Sequence, residues 1–381
     1  MGLTDIHIAG YRSVRSIHFP VRQLSVLVGA NGVGKTNLYR GLELIQSAAT
    51  GTLASDIARE GGLGSVFWAG ERKSHETPRL VLSVSLEDIG GGPRDYSLEL
   101  GFAPSYEVEI GFRAPTAAAF PLEAQIKEER LTLKHGSRPV VLMERKQGSV
   151  WARDSEGRRV LADDSLLASE TALSALRGYP EIDAVRETLS AWRFFHGFRT
   201  DPASPLRQPG LAVTSPLLAA NGSNLAAVFA TLRHIREDSL DLDRAIDDAF
   251  PGARLDVPVP EENASFTLTF PDMPKRAFGA SELSDGTLQF LALMGALLSY
   301  RLPPLIALNE PESSLHPELL PALARVIAKA AERSQIWVVT HSTVLSDAIA
   351  AETGILRRQV IRKNGGTWLE GLSQVGVFDE D

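Results

Sequence analysis

Residues 29–36 read Gly29-Ala30-Asn31-Gly32-Val33-Gly34-Lys35-Thr36, and no other stretch constrains the chain as tightly. Its glycines permit a backbone path that side chains would forbid, in which successive N–H groups turn inward as an anion-binding nest. An apolar run at 24–28 enters the loop. A helical pattern with Leu38, Leu42 and Ile45 on one face leaves it over 35–46. That strand–loop–helix context is the one in which G-x-x-x-x-G-K-[ST] holds a triphosphate. The helix N-terminus supplies partial positive charge, Lys35 an ammonium for the outer phosphates, and Thr36 a hydroxyl for Mg²⁺. A buried parallel strand ending in such a loop predicts an α/β layer fold.

The first forty residues read as strand, turn, strand, loop, helix, with Ile6 and Ile8 alternating with polar neighbours. Strand-like runs then recur at 80–86, 96–102, 108–112, 129–133 and 140–143. They are separated by Gly90-Gly91-Gly92-Pro93, Ala114-Pro115 and Gly136, which predicts an antiparallel meander. Helical spacing takes over at 166–176, 182–192, 225–235 and 240–250, interrupted by a Pro-rich stretch at 201–216. Strand signals return at 255–259 and 266–270. The α/β texture resumes with a helix at 287–298, a strand at 305–308, a helix at 319–331, a strand at 336–339 and a helix at 344–350. The expected organisation is an N-terminal lobe at 1–162, a small inserted helical subdomain at 163–252 and a C-terminal lobe at 253–381.

Three further stretches carry chemistry. Leu305-Ile306-Ala307-Leu308-Asn309-Glu310-Pro311-Glu312 delivers polar groups from the carboxyl end of a buried strand, and Glu310 is the candidate general base for in-line attack by water. Ser281-Glu282-Leu283-Ser284-Asp285-Gly286-Thr287 is an N-cap signature at the mouth of a helix, and such a tip also suits phosphate. Val338-Val339-Thr340-His341-Ser342 ends a strand in a histidine.

In their order along the chain these four stretches resemble the Walker A, signature, Walker B and switch-histidine motifs of the ABC-type ATPase head. The form is that of the SMC/RecF/OLD branch, which Gly10-Tyr11-Arg12-Ser13 and Pro311-Glu312-Ser313-Ser314-Leu315-His316-Pro317 also resemble. The resemblance covers residues 1–50 and 278–345. It implies an α/β P-loop NTPase head of ABC/SMC type carrying the meander and the helical insertion, with ATP and Mg²⁺ as cofactors. It assigns ATP to Gly29, Asn31, Gly32, Gly34, Lys35, Thr36 and Asn37, with Arg12 as a further contact. Mg²⁺ falls to Thr36 and Asn309, and catalysis to Glu310 and His341. Ser284, Asp285 and Gly286 act in trans, from a second copy, so that ATP holds a homodimer together across a loop at 313–316. Two departures stand out. Asn309 replaces the usual Asp, and losing that charge should weaken the hold on Mg²⁺-bound water and slow turnover. No Q-loop glutamine is evident; Gln125 is the nearest by region.

Composition narrows the load on this motor. The 381 residues carry 39 basic and 47 acidic side chains, a formal charge of −8, which argues against a protein coated for indiscriminate nucleic-acid binding. Local clusters at Arg357-Arg358, Arg362-Lys363 and between Arg193 and Arg207 leave room for a groove. The chain has no cysteine, which excludes disulfides and thiolate chemistry, and with no signal-peptide pattern a cytoplasmic home is expected. No apolar run is long enough to cross a membrane. Without heptads there is no long coiled-coil arm. About forty residues after His341 are too few for a C-terminal nuclease domain. The expected role is an ATPase of DNA maintenance or defence against foreign DNA, with DNA and a separate effector or nuclease as partners. The alternative is a regulatory ATPase subunit that controls an effector without binding DNA, and a transporter subunit fits less well. The aromatics Tyr179, Trp192, Phe194, Phe195 and Phe198 are expected to be packing.

Overall fold

The structure, a computed structural model, describes residues 1–71, 76–87, 103–112, 119–135, 138–146, 148–163, 165–235 and 239–379. The strand expected at 96–102 lies outside the described residues, as do the separators 90–93, 114–115 and 136. Strands β1 (Gly2–Tyr11), β2 (Val14–Pro20) and β3 (Leu24–Val28) precede helices α1 (Lys35–Thr50), α2 (Leu53–Arg59) and α3 (Leu63–Val66). The meander follows as β4 (Leu80–Glu87), β5 (Ala103–Phe112), β6 (Ala124–His135), β7 (Arg138–Lys146), β8 (Ser149–Arg153) and β9 (Arg159–Asp163). Then come α4 (Ala172–Ala175), α5 (Pro180–Ser190), β10 (Arg193–Phe195), β11 (Gly210–Leu211), α6 (Leu225–Ala230) and α7 (Leu240–Ala249). Short strands β12 (Arg254–Asp256), β13 (Asn263–Ala264), β14 (Thr267–Thr269) and β15 (Ala277–Gly279) lead into α8 (Asp285–Leu298) and β16 (Leu305–Asn309). The chain closes with α9 (Leu320–Ala331), β17 (Gln335–Thr340), α10 (Thr343–Thr353), β18 (Arg358–Lys363) and β19 (Gly366–Leu369).

These elements form two compact units. The first is Met1–Arg22, Gly29–Trp192 and Arg358–Asp381; the second is Gln23–Val28 and Arg193–Arg357. The division differs from the expected boundaries at 162 and 252. Residues 163–252 are shared between the units because Arg193–Phe195 is not helical: it pairs in parallel with β16 and so belongs to the second unit's sheet. A three-residue strand is too short to show a period of its own.

In the first unit the antiparallel sheet runs β2-β1-β4-β5-β6-β7-β8-β9. Strand β2 is an addition to the strand–turn–strand reading. Its buried Val14, Ile17 and Phe19 hairpin it onto β1, with Ile6 opposite Phe19 and Ile8 opposite Ile17. Both strands therefore join the meander rather than a parallel layer. Helix α1 is tied down by polar clamps as well as by its buried Leu38, Leu42 and Ile45. Thr171 Oγ1 donates to the Ala48 carbonyl at 2.6 Å, and Gln46 Nε2 donates to the carbonyls of Trp192 at 2.6 Å and Ser190 at 3.3 Å. The fully buried Glu129 carboxylate accepts from the N–H groups of Ala172 and Leu173 and from the Tyr106 hydroxyl. Burial raises its pKa while those donors pull the other way. The helix expected at 166–176 shortens to α4 around this cap.

In the second unit β10, β16, β17 and β3 pair in parallel in that order. Such strands are covered on both faces, which is why 24–28, 305–308 and 336–339 read as continuous apolar runs. Helix α8 is apolar all round and buried all along from Thr287 to Leu298. Each fully buried Leu or Phe in it contributes about 1.5–3 kcal/mol. Trp192 lies buried in the first unit, and Phe194 and Phe195 are buried in the second, so these aromatics are packing.

Candidate nucleotide site

The parallel register brings three chain ends to one edge of the second unit's sheet. Val28 pairs with Thr340, and Asn309 with Val339, so the loop at Gly29, the Glu310 turn and His341 all leave from carboxyl ends of neighbouring strands. This is the edge at which open α/β sheets bind ligands.

The loop itself belongs to the first unit. Gly32 and Gly34 hold φ of +81° and +99°, and a Cβ on Gly34 would stand 1.9 Å from Thr367 Oγ1 and 2.4 Å from Ser13 Oγ. Only glycine fits there. Helix α1 begins on Gly34 with no side-chain cap and no acidic residue in its first turn, so its positive end is left to face an anion. Lys35 is buried, its Nζ donating to the carbonyls of Gly29 at 2.6 Å and Ala30 at 2.9 Å, which holds the ammonium over the loop. Asn31, Gly32 and Thr36 are exposed. Asn37 Nδ2 donates to Ser13 Oγ at 2.6 Å, so its amide nitrogen buttresses the loop. Ser13 Oγ and Thr367 Oγ1 lie 2.6 Å apart, and Thr367 Oγ1 donates to the Val33 carbonyl at 2.8 Å. Nothing in the sequence pointed to Thr367, which comes from β19, more than 300 residues downstream. Arg12, at φ +46°, pairs with Glu60 at 2.8 Å, and Glu60 also accepts from the Tyr11 hydroxyl at 2.7 Å. Burial, with Glu60 adding to it, pushes the Tyr11 pKa well up, so that hydroxyl stays a donor. Gln125 lies in β6, accepting from Lys127 Nζ at 2.6 Å, within the antiparallel sheet.

Glu310 follows β16 with φ +50°, a left-handed conformation that costs a non-glycine residue on the order of 1–3 kcal/mol and is typical of functional turns. Its N–H donates to the Val339 carbonyl at 2.7 Å, and its side chain is one-third exposed. His341 Nδ1 stands 3.9 Å from Glu310 Oε1 and 3.2 Å from Glu312 Oε1. Glu312, a residue outside the expected set, is buried. Its Oε1 accepts from Thr340 Oγ1 at 2.5 Å and from the N–H groups of His341 at 3.0 Å and Ser342 at 3.2 Å. It therefore fixes the turn that carries the histidine. Among the described residues, Asn309 Oδ1 and Glu312 Oε2 are buried acceptors with no hydrogen-bond partner. Two orphaned oxygens at a strand end fit a cation's water shell, so the Asn309 end of this strand suits Mg²⁺.

Ser284 caps α8: its Oγ accepts from the Thr287 N–H at 3.2 Å and lies 2.8 Å from Thr287 Oγ1. The local capping role is therefore real. Ser284 and Asp285 are also exposed, and Ser284 and Gly286 open onto a groove of about 650 Å³ lined by Thr287, Ser314 and His316. A Cβ on Gly286 would stand 2.9 Å from the Ser314 carbonyl oxygen, and Ser314 is itself at φ +68°. The glycine lets these two turns close on each other.

The family model described as "AAA domain, putative AbiEii toxin, Type IV TA system" matches residues 24–347. No curated protein matches the sequence. Among solved structures the chain is similar to the SMC head domain from Thermotoga maritima, with 14% identity, 97% of this chain and 98% of that one covered, and a TM-score of 0.50. It is similar to an Smc head domain with a coiled coil and joint from Pyrococcus yayanosii, at 10% identity, 98% and 97% coverage and a TM-score of 0.55. It is also similar to an Smc head bound to the C-terminal winged-helix domain of ScpA, at 15% identity, 98% and 99% coverage and a TM-score of 0.54. All three are likenesses of fold.

Proposed function

The chain belongs to this AAA-domain family and has the fold of an ABC/SMC-type P-loop ATPase head, and from that premise we propose that it is an ATP-driven clamp of two copies. The loop at 29–36 of one copy holds the triphosphate, and the Ser284–Gly286 tip of the other closes over it. The observation that carries this reading is the tip itself: an exposed serine and a glycine at a helix N-terminus, opening on a groove beside Ser314.

In the proposed mechanism the N–H groups of the loop and of α1, with Lys35, take up charge on the outer phosphates. Thr36 and Asn309 would hold Mg²⁺, which would neutralise more of that charge. Glu310 accepts a proton from the attacking water, and His341, oriented by Glu312, contacts the terminal phosphate. The water oxygen bonds the terminal phosphorus as its bond to the ADP oxygen breaks; once inorganic phosphate leaves, the group that bridges the copies is gone and the clamp opens. Sedimentation with a non-hydrolysable ATP analogue and Mg²⁺ tests this. Wild type should become dimeric and Lys35→Ala should stay monomeric; a wild type that remains monomeric at saturating nucleotide ends the shared-site reading.

The clamp's work is proposed to be DNA maintenance or defence against foreign DNA. The family description, which names a toxin of a type IV toxin–antitoxin system, supports defence. The second reading is control of a separate effector protein. A net charge of −8 favours it, and one neighbour in fold is a head held by a protein partner. DNA affinity that falls steeply with salt and depends on ATP would favour the first reading. One stoichiometric co-purifying protein, with no salt-dependent DNA binding, would favour the second.

A further inference from the structure

Arg207 ends the helical turn Pro205–Arg207 inside the Pro-rich stretch and belongs to none of the four motifs. Its guanidinium nonetheless spans the segment that presents the signature tip. Nη1 donates to the carbonyls of Leu283 at 2.8 Å and Ser281 at 3.0 Å, Nη2 donates to Asp285 Oδ1 at 2.8 Å, and Nε is anchored on the Thr200 carbonyl at 2.7 Å. The Arg207 side chain is only 12% exposed, whereas that of Asp285 is 64% exposed. All of these residues lie in the second unit.

We propose that Arg207 is the positioning residue of the trans half of the nucleotide site. This rests on the shared-site reading above. Two physical effects combine. The planar guanidinium holds the Ser281 and Leu283 carbonyls through Nη1 while Nη2 holds Asp285 and Nε the Thr200 carbonyl, which fixes where Ser284 begins α8; a lysine's single nitrogen cannot hold all three directions at once. Arg207 also neutralises Asp285, the carboxylate at the first position of the helix, whose uncompensated charge would repel an approaching triphosphate. Arginine at 207 thus makes an acidic helix tip acceptable to an anion.

The test uses mixed full-length copies. In a pair of Lys35→Ala with wild type, the nucleotide sits on the wild-type loop and meets the signature tip of the Lys35→Ala copy. Adding Arg207→Ala to the Lys35→Ala copy should weaken nucleotide-dependent pairing and lower the pair's ATPase activity by about tenfold or more, a loss of about 1.4 kcal/mol. Adding Arg207→Ala to the other copy should leave both within about twofold of the reference pair. Arg207→Lys on the Lys35→Ala copy should recover part of the loss, because it restores the charge without the fork. Arg199→Ala, which removes a neighbouring arginine paired to Asp201 in an exposed ion pair, should change neither readout. Equal losses with Arg207→Ala on either copy, or none on either, overturn the proposal. If Arg207→Ala does not fold, the lysine variant decides by the same asymmetry. A wild type that never pairs with nucleotide defeats the shared site instead, which separates the two failures.

Discussion

Glu312 grips His341 twice: its Oε1 accepts the histidine's backbone N–H at 3.0 Å and stands 3.2 Å from the ring Nδ1. One buried carboxylate thus sets both the turn and the ring. Glu312→Gln keeps the shape but halves the acceptors. It should lower kcat by about tenfold or more with KM little changed, as expected when an interaction matters mainly in the transition state. Steady-state ATPase kinetics on a folded variant measure it, and an unchanged kcat would remove His341 orientation from the mechanism.

Glu310 and Asn309 should separate chemistry from metal binding. Glu310→Gln should abolish turnover and trap the ATP-bound dimer, read by sedimentation after addition of ATP and Mg²⁺. Asn309→Asp restores a charge where Asn309 Oδ1 is a buried acceptor without a hydrogen-bond partner among the described residues. It should raise the rate several-fold at limiting Mg²⁺, the excess fading as Mg²⁺ saturates. A Glu310→Gln enzyme that turns over like wild type would falsify the base assignment.

Gly10 begins the turn that carries Arg12 and Ser13. Its φ is +77°, and a Cβ there would lie 1.9 Å from the backbone oxygen of Arg79. Neither atom can swing away. Gly10→Ala should destabilise by about 2 kcal/mol or more, adding backbone strain to a main-chain collision. Denaturant unfolding checks it, and a loss below about 0.5 kcal/mol would contradict the geometry.

His7 stands on β1 beside His18, with Ser16 Oγ 3.2 Å from its Nε2 and Asp5 paired to His18. Burial, then the charge of His18, lowers its pKa below the ordinary 6.5. As pH falls through 6.5 the unfolded chain takes up the proton first, so His7 costs stability on the acid side and nothing above that value. His7→Gln should therefore lose less thermal stability than wild type between about pH 7.5 and about pH 5, with matching behaviour above. Parallel losses would show that His7 titrates normally.

The chemistry of the loop at 29–36 was legible because it is local. Gly32 and Gly34 adopt the left-handed backbone that their lack of a side chain permits, and Lys35 follows at the helix start. The buried strands at 24–28, 305–309 and 335–340 were legible for the same reason, since double-sided burial writes itself as an apolar run. Strand β2 could have been found from Ile17 and Phe19 alternating with Ser16 and His18.

What tertiary structure alone decided lies between residues distant in sequence. No period or motif could announce that Thr367 would brace the loop, that Glu312 would orient His341, that Arg207 would pin the signature tip, or that Arg193–Phe195 would pair beside β16. A hydrogen bond depends on where two groups meet in space, and a single chain position records only its own half of that meeting.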